Sequence, residues 1–508
     1  MKRILLGAVS MALFNCSYAQ KDKTAEKFAQ YISVEDAKKH LTILASDEFE
    51  GRETAKPGGD KAANYLAGEF KKMGLQAPVN GSYFLDIPLV NISSVVTAID
   101  LNGFKPSWGK DYAATGITSS ANVNTNEVVF VGYGSDEDLN KTDLAGKVVL
   151  FVNEDKAAAG ESVRETVNRR LQALKNIVAK KPALIIAVSA APRFRGQNGS
   201  ERLSIKSSKT AATTGTPVVS ITAAAADQML KNTGKTWAQL KESAAQVINA
   251  KVAVNYEYNA KDAKAVDVLG FLPGSDAKLK DEVLVFSAHY DHIGMLPEGT
   301  RGDRINNGAD DDGSGTTGIL EIARAFTQAK KQGHGPRRSI LFLGNVGEEK
   351  GLLGSEYYTD HPVFPIANTI TDLNIDMIGR RDPSHEGKPD YCYLIGSNKL
   401  STTLHKISEN ANNTYTHLDI DYKYNDPKDP ERIYYRSDHY NFARFGVPIV
   451  FYFDGVHADY HRPSDEVDKI DFPLLVKRAQ LVFYTGWDLA NRDIRPVVDV
   501  SNDMPESR

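Results

Sequence analysis

The chain has 508 residues, of which 41% are hydrophobic and 25% charged, the proportions of a soluble globular protein rather than a disordered or membrane-embedded one. That length exceeds one ordinary core and predicts two or three domains. A net charge of −4 excludes a basic nucleic-acid surface as the main design, and no stretch of about 18 uninterrupted apolar residues is present to span a membrane.

Residues 1–19 stand apart in texture. Lys2 and Arg3 precede an apolar run over residues 4–14, and Ser17-Tyr18-Ala19 supplies small residues before a cut at Gln20. This order is that of a secretory signal and predicts a secreted or periplasmic protein. Cys16 offers a lipoprotein anchor as the alternative, although Phe14-Asn15 makes a poor lipobox. After cleavage Cys392 would be the one cysteine left, which excludes an internal disulfide.

Residues 20–110 begin helical and turn strand-like. Val34, Ala37, Leu41 and Leu44 recur at helical spacing, Asp47-Glu48-Phe49-Glu50-Gly51-Arg52 comes next, and a second amphipathic helix over 61–73 ends at Gly74. Residues 83–90 and 95–101 are strand-like. From 111 to 258 short buried strands at 127–134, 146–152, 183–188 and 216–221 alternate with polar or helical segments. No His, Asp or Glu cluster at the ends of these strands, so the block is expected to be a separate, non-catalytic, β-rich domain. Its strand pattern resembles the protease-associated domain often inserted into exported peptidases.

Over residues 259–495 strands at 282–288, 339–346, 370–375 and 447–453 alternate with helices at 314–330, 352–359, 400–411, 437–445 and 472–491; residues 496–508 are a tail. Continuous apolar strands alternating with helices predict an α/β fold with a mixed, mainly parallel sheet sandwiched by helices. In such sheets ligands bind beyond the carboxyl ends of the strands. There the sequence places His289 and Asp291, then Glu348 and Glu349, then Asp376, then His457 and His461, with the acidic run Asp310-Asp311-Asp312 between the first two. Each alone has an ordinary explanation as a loop residue or a solvated charge. Together they form a nitrogen and oxygen donor set that suits zinc. His289-Tyr290-Asp291 puts His and Asp on one side of an extended segment, so Asp291 is expected to accept the second imidazole N–H. Adjacent Glu348 and Glu349 point apart, which lets one bind metal and leaves the other as a base.

These residues also carry a resemblance. His289-Tyr-Asp291, the run from Gly308 through the three aspartates to Gly315, Gly347-Glu-Glu349, Asn374-Ile-Asp376 and Tyr460-His461 look like the motifs of the co-catalytic dizinc aminopeptidases of the M28 metallopeptidase family. The resemblance implies a zinc-dependent exopeptidase fold in which residues 20–110 join residues 259–495 in one domain, two zinc ions per chain and peptide substrates. It implies that Asp311 bridges the ions, with His289 and Asp376 at one and Glu349 and His461 at the other. Glu348 would be the general base, the Asp311–Asp312 bond is expected to be cis, and Asp438 would support the site from behind. His292, His439 and His457 fall outside the matched motifs and are expected to be structural or peripheral. Two other readings stay open: a one-zinc glutaminyl cyclase-like acyl transferase, and a non-catalytic receptor-like domain. Oligomeric state, the preferred N-terminal residue and any calcium site are not legible.

Overall fold

The computed structural model describes residues 21–156, 162–189, 197–206 and 215–504. The expected signal segment and Cys16 lie outside the described residues. The chain divides into two compact units: Pro88–Ala263, and the residues before and after it.

The boundary at 111 expected from the sequence is therefore displaced. Residues 83–90 and 95–101 form one strand, Phe84–Leu101, whose Val96, Ile99 and Leu101 are buried in the core of the 88–263 unit. The apolar side chains decide which core a strand joins, and here they carry residues 88–110 out of the first unit. Within the 88–263 unit, Val148–Val152 lies between Ala121–Phe130 and Leu184–Ser189, parallel to both. Alternation sorts its side chains. Val148, Leu150 and Val152 enter one core, and Val149 and Phe151 enter the other beneath the helix Val163–Ala179.

The other unit is built on a sheet in the order Asp419–Asp421, Tyr391–Ile395, Ile449–Phe453, Thr369–Ile375, Val283–His289, Ser339–Asn345, then residues 268–272 of the strand Gln246–Leu272. The four strands from Ile449–Phe453 to Ser339–Asn345 are mutually parallel, and the strands flanking them are antiparallel. Every residue of these four strands is buried, which is why they read as mainly apolar runs; the buried polar Asp372 and Asn374 of Thr369–Ile375 both face the Ser287 hydroxyl of the neighbouring strand. The sheet is mixed and mainly parallel, as its sequence pattern predicts. The short apolar run Tyr391–Ile395, absent from the elements expected above, is a further strand, bounded by Pro389-Asp390 and Gly396.

Helices cover both faces. Gly313–Lys331 and Phe472–Asn491 pack together on one, and Leu353–Asp360 and His439–Arg444 on the other. An aromatic stack ties sheet to helices: Phe286 lies 5.4 Å from Phe342 and 5.8 Å from Phe326, which meets Phe483 at 5.0 Å and Trp487 at 5.7 Å. Among the described residues no helix is long and apolar enough to cross a membrane.

The helix Pro57–Met73 packs so closely that Phe70 touches strand backbone. A Cβ on Gly270 would stand 2.7 Å from its ring. Gly270→Ala should therefore destabilise the unit by about 1–3 kcal/mol, the usual cost of overpacking. An unchanged thermal midpoint would show that helix and strand are not in this contact.

Candidate metal centre

Because the four central strands are adjacent and parallel, their carboxyl ends share one edge. His289 ends the first, Asp376 comes directly after Ile375, and Glu348 and Glu349 come soon after the strand ending at Asn345. His457 and His461 lie in the segment after Phe453. The acidic run stands at the start of Gly313–Lys331, with a cis bond joining Asp311 and Asp312. The other residues expected at a dimetal site are thereby gathered round Asp311.

The Asp311 carboxylate faces two ways. Its Oδ1 is 3.4 Å from His289 Nε2, which is also 3.6 Å from Asp376 Oδ1 and 3.9 Å from Glu348 Oε2. Its Oδ2 is 3.0 Å from His461 Nε2, which is 3.2 Å from Glu349 Oε2. Two ligands of a tetrahedral zinc, each about 2.0–2.1 Å from the ion, stand about 3.3 Å apart. The observed separations bracket that value. His289 Nε2, Asp311 Oδ2 and Glu349 Oε1 are buried and have no hydrogen-bond partner. Orphaned donors and acceptors of both kinds, facing one another, fit cations held between them.

The other two aspartates are engaged with backbone. Asp310 accepts from the Gly379 N–H at 2.7 Å and stands 3.2 Å from His457 Nε2. Asp312 caps the helix, accepting from Gly315 and from Met377, each at 2.9 Å. Asp465, which sequence reasoning missed, accepts from the N–H groups of both Asp310 and Asp311.

The expected role of Asp291 needs correction. The second nitrogen of His289 donates to the Asp291 main-chain carbonyl at 3.0 Å, and the carboxylate is 3.8 Å away. That carboxylate accepts from Thr54 Oγ1 at 2.6 Å and from the Glu348 N–H at 3.3 Å. It fixes the loop that carries Glu348 rather than the ring. Asp438 is bonded to Ser355, and burial pushes its carboxyl up to about 7. His439 is a core residue: burial lowers it to about 3, Nε2 donates to the Tyr434 carbonyl, and the ring lies on Phe451.

Charge separates the carboxylates by task. Burial works to raise Asp311, but the imidazoles of His292, His289 and His461 outweigh it and hold it well below the usual range. Glu348 moves the opposite way, lifted well above an ordinary glutamate by burial and by the charges of Glu349 and Asp376. One carboxylate kept ionised and one kept proton-hungry is the division a ligand and a base require. Beside them a cavity is walled by Met377, Ile433, Phe451, Phe453 and Val456, with Arg436 and Tyr460, joined at 2.9 Å, also lining it.

Residues 267–486 match the family model described as peptidase family M28. That stretch is similar to an M28 peptidase domain. The chain is 30% identical over 233 residues to a probable leucine aminopeptidase of Arthroderma otae, covering 45% of this chain and 58% of that one. It is 28% identical over 213 residues to leupeptin-inactivating enzyme 1 of Streptomyces exfoliatus, covering 42% and 40% respectively. The chain thus spans less than two thirds of the length of these curated relatives. Among solved structures, an aminopeptidase from Aneurinibacillus sp. strain AM-1 shares the fold at a TM-score of 0.57 with 18% identity, covering 95% of this chain and all of that one.

One residue outside the matched stretch holds the loops of that stretch together. Arg52, only 1% exposed, donates to five main-chain carbonyls: Leu44, Tyr290, Asn307, Gly308 and Asp311. A lysine has three donors on one atom and cannot serve five carbonyls in a plane. Arg52→Lys should therefore lower the thermal midpoint and, in hydrogen exchange read by mass spectrometry, deprotect peptides covering residues 290–312 first. Protection lost evenly along the chain would show that the clamp is not local.

Proposed function

We propose that this chain is an exported zinc-dependent aminopeptidase that removes apolar residues from the N-terminus of peptides, with two zinc ions per chain. The observation that carries the reading is the Asp311 carboxylate, whose two oxygens face two separate donor sets. His289 and Asp376 would hold one ion with Asp311, and Glu349 and His461 the other. When bound, the ions would supply the Lewis acidity that polarises a scissile carbonyl and acidifies water.

The chain's own groups do the rest. Glu348 is held apart from Glu349 by the Asp291 carboxylate at its N–H, so it is free to take the proton of the attacking water. Its raised proton affinity then suits it to pass that proton to the leaving amine nitrogen. The apolar wall of Met377, Ile433, Phe451, Phe453 and Val456 lies directly beside Glu348 and Asp376, where the side chain of the residue being released would sit. Export is proposed from the order of charged, apolar and small residues in the first 19 positions. The unit Pro88–Ala263 is proposed to be a protease-associated-like domain without catalytic groups, since among the described residues both groupings able to hold a metal lie outside it.

Three outcomes test the reading. Purified protein should hydrolyse leucyl and phenylalanyl chromogenic amides far faster than aspartyl or lysyl ones, lose activity to a chelator, and leave N-terminally blocked peptides intact. Cleavage of blocked peptides alone would sink the aminopeptidase assignment. Glu348→Gln should lower kcat by about 10²–10⁴-fold, the usual contribution of a general base, while zinc content measured by atomic absorption stays at two per chain. Asp311→Asn should strip zinc from both sites, whereas Asp310→Asn should keep it; equal loss would mean the wrong aspartate has been assigned.

A further inference from the structure

His292 lies outside the matched sequence motifs, yet the structure places it against Asp311 and Glu349. We propose that His292 is a fourth protein ligand of the second zinc, bound through Nδ1 together with Asp311, Glu349 and His461. The inference rests on the dizinc reading above and refines one of its two sites.

The side chain is fully buried, and neither ring nitrogen has a hydrogen-bond partner. A buried imidazole normally has at least one nitrogen satisfied, as His439 does through Tyr434. Here Nδ1 instead points among oxygens that are themselves orphaned. It is 2.8 Å from Glu349 Oε1 and 3.7 Å from Asp311 Oδ2, and all three atoms lack a hydrogen bond. A short approach without hydrogen-bond alignment is what two ligands of a common ion show, with a shift of about half an ångström to reach the tetrahedral spacing. Glu349 straddles the two imidazoles, Oε1 towards His292 and Oε2 towards His461, whose ring lies 5.7 Å from that of His292.

The surroundings fix His292 in this pose. Its N–H donates to the Arg52 carbonyl at 3.1 Å. Its ring lies directly against Gly308, where a Cβ would come within 2.5 Å of Cδ2. Gly308 is thus the residue that lets the ring reach the acidic loop.

Four protein ligands would close the second site, while the first, with His289, Asp311 and Asp376, keeps an open position. A zinc with four protein ligands is held as firmly as structural zinc, and it can still expand to five-coordinate to meet a carbonyl. The two ions should therefore bind in distinct steps, with the second site the tighter.

The test reads metal rather than turnover. Wild-type protein is titrated with zinc against a chromophoric chelator, and His292→Ala and His292→Asn are compared with it. The wild type should take up two ions with separated affinities. In both variants the tighter step should weaken by about 100-fold or more, since even an outer partner of a ligand is worth 10–100-fold, while the weaker step stays in place. Should either variant fail to fold, cadmium-113-loaded wild-type protein with nitrogen-15 histidine answers directly: three imidazoles should couple to cadmium, His292 among them. Two coupled imidazoles, or an unchanged tight step in a folded variant, would overturn the proposal and leave the dizinc reading standing. A wild type that binds fewer than two ions would instead overturn the reading on which it rests.

Discussion

The concentration of buried negative charge at one sheet edge is the constraint the rest of the unit answers to. Asp291, Asp310, Asp311, Asp312, Asp376 and Asp465 are each no more than 8% exposed, and Glu349 joins them. Ionised carboxylates taken out of water cost several kcal/mol each unless paired or hydrogen-bonded. The fold meets this with donors from every direction. Main-chain N–H groups of Gly315, Met377 and Gly379 turn towards the aspartates, and imidazoles face Asp310, Asp311 and Glu349. The Arg52 guanidinium sits beneath the loop on carbonyls only, so its charge offsets the cluster without occupying any carboxylate oxygen. That leaves the oxygens of Asp311 to the imidazoles that face them.

Arg52 also explains why a segment far from the matched peptidase residues belongs to the site. It reaches 238 residues to Tyr290 and 259 to Asp311. The turn that delivers it has left-handed conformations at Glu50, Gly51 and Arg52, and a Cβ at Gly51 would meet the Asn306 and Gly294 carbonyls at 2.6 Å. Glycine is required there because the turn lies directly on the backbone of the loops that Arg52 clamps. Thr54, two residues on, reaches Asp291. Residues 47–54 thus position the centre without entering it.

The parts of this arrangement that were legible in the sequence share a physical basis. Parallel strands buried on both faces are continuous apolar runs, and the residues just beyond the carboxyl end of such a run lie at the ligand-binding edge. That rule places His289, Asp291, Glu348, Glu349, Asp376, His457 and His461 at the edge, and only the family resemblance chooses among them. The hidden parts depend on long-range geometry. Nothing local marks Arg52 as buried, since Asp-Glu-Phe-Glu-Gly-Arg reads as a surface turn. His292 differs from a loop histidine through contacts made far along the chain, its ring on Gly308 and its Nδ1 beside Glu349 and Asp311. The alternation argument for Asp291 failed because the chain turns after His289, bringing the carbonyl rather than the carboxylate to the ring.

The three consecutive aspartates show the same limit at its sharpest. In sequence they are equivalent, and their neighbours are nearly so. In the fold Asp310 is drawn to Gly379 and His457, Asp312 to Met377 and the first turn of its own helix, and Asp311 alone is left to face imidazoles on both sides. The donors that make this division come from the segments after Ile375 and Phe453, and Asp465 adds to it by accepting two successive N–H groups of the run. Side-chain roles in so charged a loop are set by which backbone donors arrive from other strands. An aspartate met by such donors becomes structural, and the one denied them keeps a carboxylate that faces imidazoles on both sides.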